Sequence, residues 1–230
     1  MSDHKKPINA GNKGLANLGN TCYMNSCLQC LSQLDYFNPR NEDYLDECQK
    51  RDCIDKDTLI NEWNQLMINI WKNDKASFVN PQSFLRKMIS EIHREKKIFD
   101  NFSQNDVSEF LTLLLELFHK DLKKKVTINV NGNPKTPSDK IAFRALNQWK
   151  KDFENSYSCI IKNFYSQMIT FTSCTECDYI TTNHEPFVVL NIEIPPNANS
   201  IEDCLRRHTE SNELDCDNQW LCDKCNKRVS

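Results

Sequence analysis

Cys22 follows a Gly-Asn-Thr turn (Gly19, Asn20, Thr21) and heads the run Cys22 to Leu34, in which Met24, Cys27, Leu28, Leu31 and Leu34 keep helical spacing. At a helix start, free N–H groups and the positive dipole end favour the thiolate, which is the attacking species in thiol chemistry. The same N–H groups can hold the oxyanion of a tetrahedral intermediate. Asn17, five residues upstream in the same loop, can add a side-chain donor to that oxyanion. The plainer alternative makes Cys22 a small buried hydrophobe. Cys27 and Cys30, three apart on one helix face, are read that way, as packing residues rather than a metal or redox pair. Cys48, Cys53, Cys159, Cys204 and Cys216 have no partner at informative spacing.

Two further pairs, Cys174-Thr-Glu-Cys177 and Cys222-Asp-Lys-Cys225, have the spacing of metal knuckles. Four thiolates in two such turns suit one tetrahedral zinc ion, because each short turn aims two sulfurs at one point. A site closed by four protein ligands has no open position for a catalytic water, so the zinc expected here is structural. Redox dithiols and unrelated buried cysteines are the competing readings. Forty-four residues separate Cys177 from Cys222, so strands and a short helix must intervene.

A third constellation is acidic. Asp106 and Glu109 are three apart at the head of an apolar helical run ending near Leu122, so both carboxylates share one face and can pair with a guanidinium. Acids in a first helical turn also stabilise the dipole, and Ser103 with Asp106 reads as a capping box. Both readings stay open at this point.

The elements that must position these residues change character along the chain. Residues 1–13 read as a flexible tail and 38–57 as an exposed connection or insertion. Amphipathic helices are expected over 57–71, from Asn80-Pro81 onward, from Ser103 to Leu122, and over 141–154, with a turn-rich connection over 125–140. Strands are expected over 164–172 and 187–194, and Ser200 with Asp203 caps a short helix. Helices first and strands later give an α+β fold with a helical lobe and a β lobe.

The 230 residues carry 29 basic and 32 acidic side chains, a balance without a nucleic-acid signature. The N-terminal residues form no secretory signal, and no apolar run is long enough to span a bilayer. Twelve cysteines without an export signal point to metal or catalytic roles in a reducing compartment, cytoplasm or nucleus.

The string Gly14-Leu-Ala-Asn17-Leu-Gly-Asn-Thr-Cys22-Tyr-Met-Asn-Ser26 resembles, almost letter for letter, the Cys box of the ubiquitin-specific proteases. Gln104-Asn-Asp106-Val-Ser-Glu109-Phe110 is similar to that family's second signature, with Asn105 and Val107 departing from it. His184-Glu-Pro-Phe187, Trp220-Leu-Cys222 and Ser158 to Gln167 extend the likeness through the cysteine knuckles, although Ser166 stands where the family usually has Gly. The resemblance implies a papain-like cysteine protease with a helical thumb (14–160) and β zinc-ribbon fingers (161–230), the palm largely missing. It implies Cys22 as nucleophile and Asn17 as oxyanion donor. It further implies that Gln104, Asp106 and Glu109 lie beside the cleft for the arginine-containing ubiquitin tail, and that Cys174, Cys177, Cys222 and Cys225 hold one structural zinc. The partners implied are ubiquitin or a ubiquitinated protein, with no nucleic acid and no membrane.

A thiol nucleophile needs a base, normally a histidine oriented by Asp or Asn. In the family that histidine lies in a box downstream of the second knuckle. The five histidines here (His4, His93, His119, His184 and His208) have no such context. The expectation is therefore a deubiquitinating protease in a truncated form without its catalytic histidine. An inactive zinc-containing ubiquitin binder is the alternative, and a zinc-ribbon nucleic-acid binder is disfavoured by the charge.

Overall fold

A computed structural model describes residues 11–37, 57–72, 77–95, 106–214 and 218–229. The chain divides into two compact units, one formed by residues 1–123 with 158–160, the other by 124–157 with 161–230.

The first unit is helical. It contains β1 (Gly14–Leu15), α1 (Cys22–Ser32), a 3-10 turn (Asp35–Phe37), α2 (Leu59–Lys72), β2 (Phe78–Val79), α3 (Gln82–Arg94) and α4 (Val107–Leu122). Its core is an aromatic cluster in which Trp63 of α2 meets Phe37 edge-on at 5.4 Å and Phe84 edge-on at 6.0 Å, and lies tilted against Phe118 at 5.5 Å, ring centre to centre. All four rings are almost completely buried, so α2, α3 and α4 are fixed against one another by large apolar area. Met24, Cys27, Leu28 and Leu31 bury one face of α1, and Tyr23 meets Phe110 of α4 edge-on at 5.5 Å.

The segment leading to Cys22 is tied down on both sides. Gly14 and Leu15 pair in parallel with Phe78 and Val79, and Ala16 N–H donates to the Val79 carbonyl at 2.9 Å. The buried Lys13 ammonium donates to the Asn69 carbonyl in the last turn of α2, where the dipole favours a cation. Gly11 has φ +80°, and an added Cβ would come within 2.6 Å of the Trp71 indole, so only glycine fits.

The second unit holds α5 (Pro137–Phe153) packed on a β-hairpin made of β3 (Ser166–Ser173) and β4 (Ile180–Phe187); α6 (Cys159–Phe164) precedes β3, its first two residues counted with the first unit and the rest with the second. The hairpin is antiparallel, with Ser166 opposite Phe187 and Ser173 opposite Ile180. The short helix α7 (Ile201–His208) and a second small hairpin, β5 (Trp220–Leu221) with β6 (Arg228–Val229), complete it.

Several boundaries differ from the sequence expectation. The strand expected over 187–194 lies instead at Ile180–Phe187: its partner β3 begins at Ser166, and no described strand pairs with the residues that follow. Helix α5 begins four residues early, because Thr136 and Asp139 form a reciprocal capping box around Pro137. Ser103 lies outside the described residues. The observed N-cap of α4 is Asp106 itself.

Candidate functional site

Two sites emerge from this framework, one in each unit.

In the first, the loop between β1 and α1 folds around the Asn17 side chain. Gly19 (φ +94°) and Asn20 (φ +49°) turn the chain through left-handed conformations that Gly and Asn tolerate. The turn folds the loop back so that Asn17 Oδ1 accepts from Gly19 N–H at 3.2 Å, Thr21 N–H at 3.2 Å and Thr21 Oγ1 at 3.0 Å. Thr21 Oγ1 in turn accepts from Leu18 N–H at 3.0 Å. Asn25, on the first turn of α1, donates from Nδ2 to the Leu15 and Ala16 carbonyls, fastening the helix to the strand exit. Sequence reasoning gave the Thr21 and Asn25 side chains no role; only their bonds across the loop reveal one.

Cys22 opens α1 with its side chain exposed, and Asn17 is exposed beside the same turn. Cys27, one turn further, is buried, and burial first, then the neighbouring Cys30, pushes its thiol up to about 11. Cys30 is exposed, not a core residue as its spacing suggested. No hydrogen bond joins Cys22 Sγ to a histidine among the described residues. The His119 ring shares its Nδ1 with the buried Ser158 hydroxyl at 2.7 Å, a packing role, and burial, then Lys123, pulls its imidazole below the usual value. His184 Nε2 lies 3.2 Å from Thr182 Oγ1 on its own strand.

At the head of α4, Asp106 Oδ1 accepts from the Ser108 hydroxyl, Ser108 N–H and Glu109 N–H. Those donors, the hydroxyl foremost, hold its carboxyl below the ordinary aspartate range. The carboxylate is thus a helix cap, and it is exposed together with Glu109. Gln104 lies outside the described residues.

In the second unit each hairpin carries a knuckle at its tip. Cys174 and Cys177 lie between β3 and β4, and Cys222 and Cys225 between β5 and β6. The knuckles are built alike. Cys174 N–H donates to the Tyr179 carbonyl and Cys222 N–H to the Lys227 carbonyl. Asp178 and Asn226, each just past the second cysteine, take φ +54° and +55°. Tyr179 and Trp220 stack at 6.3 Å over the cluster, and Lys227 joins Glu176 across it at 3.2 Å.

The four sulfurs lie within 4.8 Å of one another, with Cys174 to Cys225 at 3.8 Å and Cys177 to Cys222 at 3.6 Å. Burial pushes the Cys177 thiol up to about 12. At Cys222 burial is outweighed by the N–H groups of Cys225 and Lys224 and by the neighbouring thiols, which bring it down to about 7. Four sulfurs converging from two turns can hold a metal ion.

Comparison with known proteins gives the family. The sequence profile described as "Ubiquitin carboxyl-terminal hydrolase" matches residues 13–220. The chain is 32% identical over 231 residues to human ubiquitin carboxyl-terminal hydrolase 2, covering 95% of the chain and 36% of that protein. It is 28% identical over 256 residues to human ubiquitin carboxyl-terminal hydrolase 21, covering 100% of the chain and 43% of that protein. The chain thus spans less than half the length of these relatives. Among solved structures, it superposes on a chain of the SAGA Ubp8/Sgf11/Sus1/Sgf73 DUB module bound to ubiquitin aldehyde. That match has a TM-score of 0.66 at 18% identity and covers 100% of this chain and 45% of the other, a likeness that shows the mixed helix–strand fold. With the profile matched over nearly its whole length, the chain belongs to the ubiquitin carboxyl-terminal hydrolase family.

Proposed function

We propose that this chain supplies the nucleophile and oxyanion half of a thiol-dependent ubiquitin hydrolase, acting on the bond after the ubiquitin C-terminal glycine. The observation that carries the reading is the Asn17–Cys22 loop: an exposed thiol at the first residue of a helix, with an exposed amide held beside it by its own oxygen. Cys22 Sγ attacks the scissile carbonyl, and Asn17 Nδ2 with the first-turn N–H groups holds the oxyanion. Asp106, through the oxygen not committed to the cap, and Glu109 take a guanidinium of the ubiquitin tail; Gln104, outside the described residues, is assigned to substrate binding by the resemblance alone. Residues 14–160 serve as thumb and residues 161–230 as fingers of a papain-like protease. A reducing compartment, cytoplasm or nucleus, suits the free nucleophile.

Zinc is the ion proposed for the four cysteines. Zn–S bonds of about 2.3 Å put the sulfurs of a tetrahedron about 3.8 Å apart, close to the spacings of the two short pairs. All four positions are taken by thiols, so the ion holds the two knuckles together and takes no part in hydrolysis.

The second reading, an inactive ubiquitin binder, is favoured by the lack of a histidine hydrogen-bonded to Cys22 among the described residues. One experiment separates them: ubiquitin binding and turnover of a fluorogenic ubiquitin C-terminal amide by the 230-residue chain, with Cys22→Ala as control. We expect measurable binding, with turnover lower by the factor of about 10²–10⁴ that positioned proton transfer supplies. Fast Cys22-dependent turnover would overturn the half-site reading, and residual turnover unchanged in Cys22→Ala would leave the binder. Loss of both binding and turnover in a folded chain rejects both readings.

A further inference from the structure

Asn17 can serve as an oxyanion donor in only one of its two amide orientations. The amide oxygen and nitrogen are nearly the same size, so a half-turn of the amide costs little sterically yet replaces a donor by a lone pair that repels the oxyanion. Two backbone N–H groups, those of Gly19 and Thr21, face the amide, and an N–H can only donate. The group facing them must therefore be Oδ1, but both bonds are long, at 3.2 Å, and alone would hold the amide loosely.

The shortest of the three bonds on Oδ1, at 3.0 Å, comes from the Thr21 hydroxyl. That hydroxyl is itself fixed: Leu18 N–H occupies one lone pair at 3.0 Å, which leaves its proton for Asn17. Thr21 is 2% exposed, so water cannot take its place. It is also the residue immediately before Cys22, and it gives the Asn25 N–H its helical acceptor at 2.9 Å. One side chain thus links the nucleophile's helix to the orientation of the amide.

We propose that Thr21 is a positioning residue, whose hydroxyl locks the Asn17 amide oxygen into the loop and leaves Nδ2 as the outward donor. The proposal rests on the oxyanion role given to Asn17 above.

The test has two arms, both on the 230-residue chain. In the first, ¹⁵N relaxation of the Asn17 side-chain NH₂ is measured in wild type, Thr21→Val and Thr21→Ser. Valine keeps the volume and removes the hydroxyl, whereas serine keeps the hydroxyl. We expect order parameters near the rigid value of about 0.85 in wild type and Thr21→Ser, and below about 0.6 in Thr21→Val. In the second arm, affinity for ubiquitin aldehyde is compared with affinity for unmodified ubiquitin. Addition forms the Cys22 S–C bond, moves the carbonyl π pair onto oxygen within reach of the Asn17 donor, and releases the thiol proton to solvent. Thr21→Val should lose about tenfold or more in aldehyde affinity, a fraction of the factor of about 10²–10³ that one oxyanion donor supplies, while binding unmodified ubiquitin as wild type does.

An equally ordered amide in Thr21→Val, or a Thr21→Ser no better than Thr21→Val, overturns the proposal. If Thr21→Val does not fold, amide exchange in wild type decides: unprotected Leu18 and Thr21 N–H groups overturn it, and protected ones together with wild-type behaviour of Thr21→Ser uphold it. Wild-type chain that captures no ubiquitin aldehyde refutes the hydrolase reading instead, while the order parameters still decide the role of Thr21.

Discussion

Three cysteines on α1 stand in different surroundings although they share eleven residues of helix. Cys22 and Cys30 face solvent, whereas Cys27 is buried and its thiol is pushed up to about 11. Alkylation near neutral pH requires both access and thiolate, so Cys27 should react at least about tenfold more slowly than Cys22. Peptide mass spectrometry after brief iodoacetamide treatment measures this directly, and Cys22 is expected to lead the cysteines outside the metal cluster. A Cys27 as fast as Cys22 would mean that α1 is not seated as described. The convergence of the four cysteines was legible in the sequence because it depends on the local spacing of two Cys-x-x-Cys turns, whereas the role proposed for Cys22 rests on its turn together with the family resemblance. Cys30 was misread because spacing gives the face of a helix but not where burial ends along it. Thr21 and Asn25 were read only as members of the turn and of the Cys-box string, with no role for their side chains, since the value of a hydroxyl or an amide lies in the partner it meets across a loop.

Helix α4 shows the same division at the scale of an element. Its position and apolar face followed from periodicity, but its cap did not: Asp106 does the capping. The strand after the first knuckle was displaced because alternation of β-branched residues marks a candidate strand, whereas a strand exists only where a neighbour supplies hydrogen bonds. The two ends of α4 also titrate in separate windows. His119 is held neutral by burial, so its folded value lies below its unfolded one of about 6.5. Its contribution is full above about pH 6.5 and is lost as pH falls through the lowered folded value, because the unfolded chain takes up the proton first. Asp106 is held ionised, so its contribution is full above the unfolded aspartate value of about 3.9 and is lost only as pH falls through its own lowered value. Urea unfolding at stepped pH should therefore show a first loss below about 6.5 that is missing in His119→Gln but still present in Asp106→Asn. The same loss in His119→Gln would assign the titration to another group.

At the scale of the whole molecule, the two units differ sharply in how much apolar core they own. Among the described residues, 24 buried apolar side chains belong to the first unit and six to the second, and two of those six are the cluster cysteines Cys174 and Cys222. The remaining buried residue at the cluster is Val229, packed with Tyr179 and Trp220. A β unit this sparsely packed cannot offset the entropy of ordering its chain by burial alone, and a metal cross-link is one established remedy. Metal-binding free energy in such a site is folding free energy, on the order of 10 kcal/mol for structural zinc in small domains. The expected outcome is about one zinc per chain by elemental analysis. On chelation at pH 7, the amides of β3 and β4 should lose their exchange protection while those of α2, α3 and α4 keep theirs. Cys222→Ser should reproduce the chelated pattern without chelator, because it removes one of the four ligands, whereas Cys204→Ser, buried elsewhere in the same unit, should keep its zinc. Full protection of the β3–β4 hairpin in metal-free protein would show that six buried side chains suffice, and would reduce the cluster from the fold's cross-link to an ornament on it.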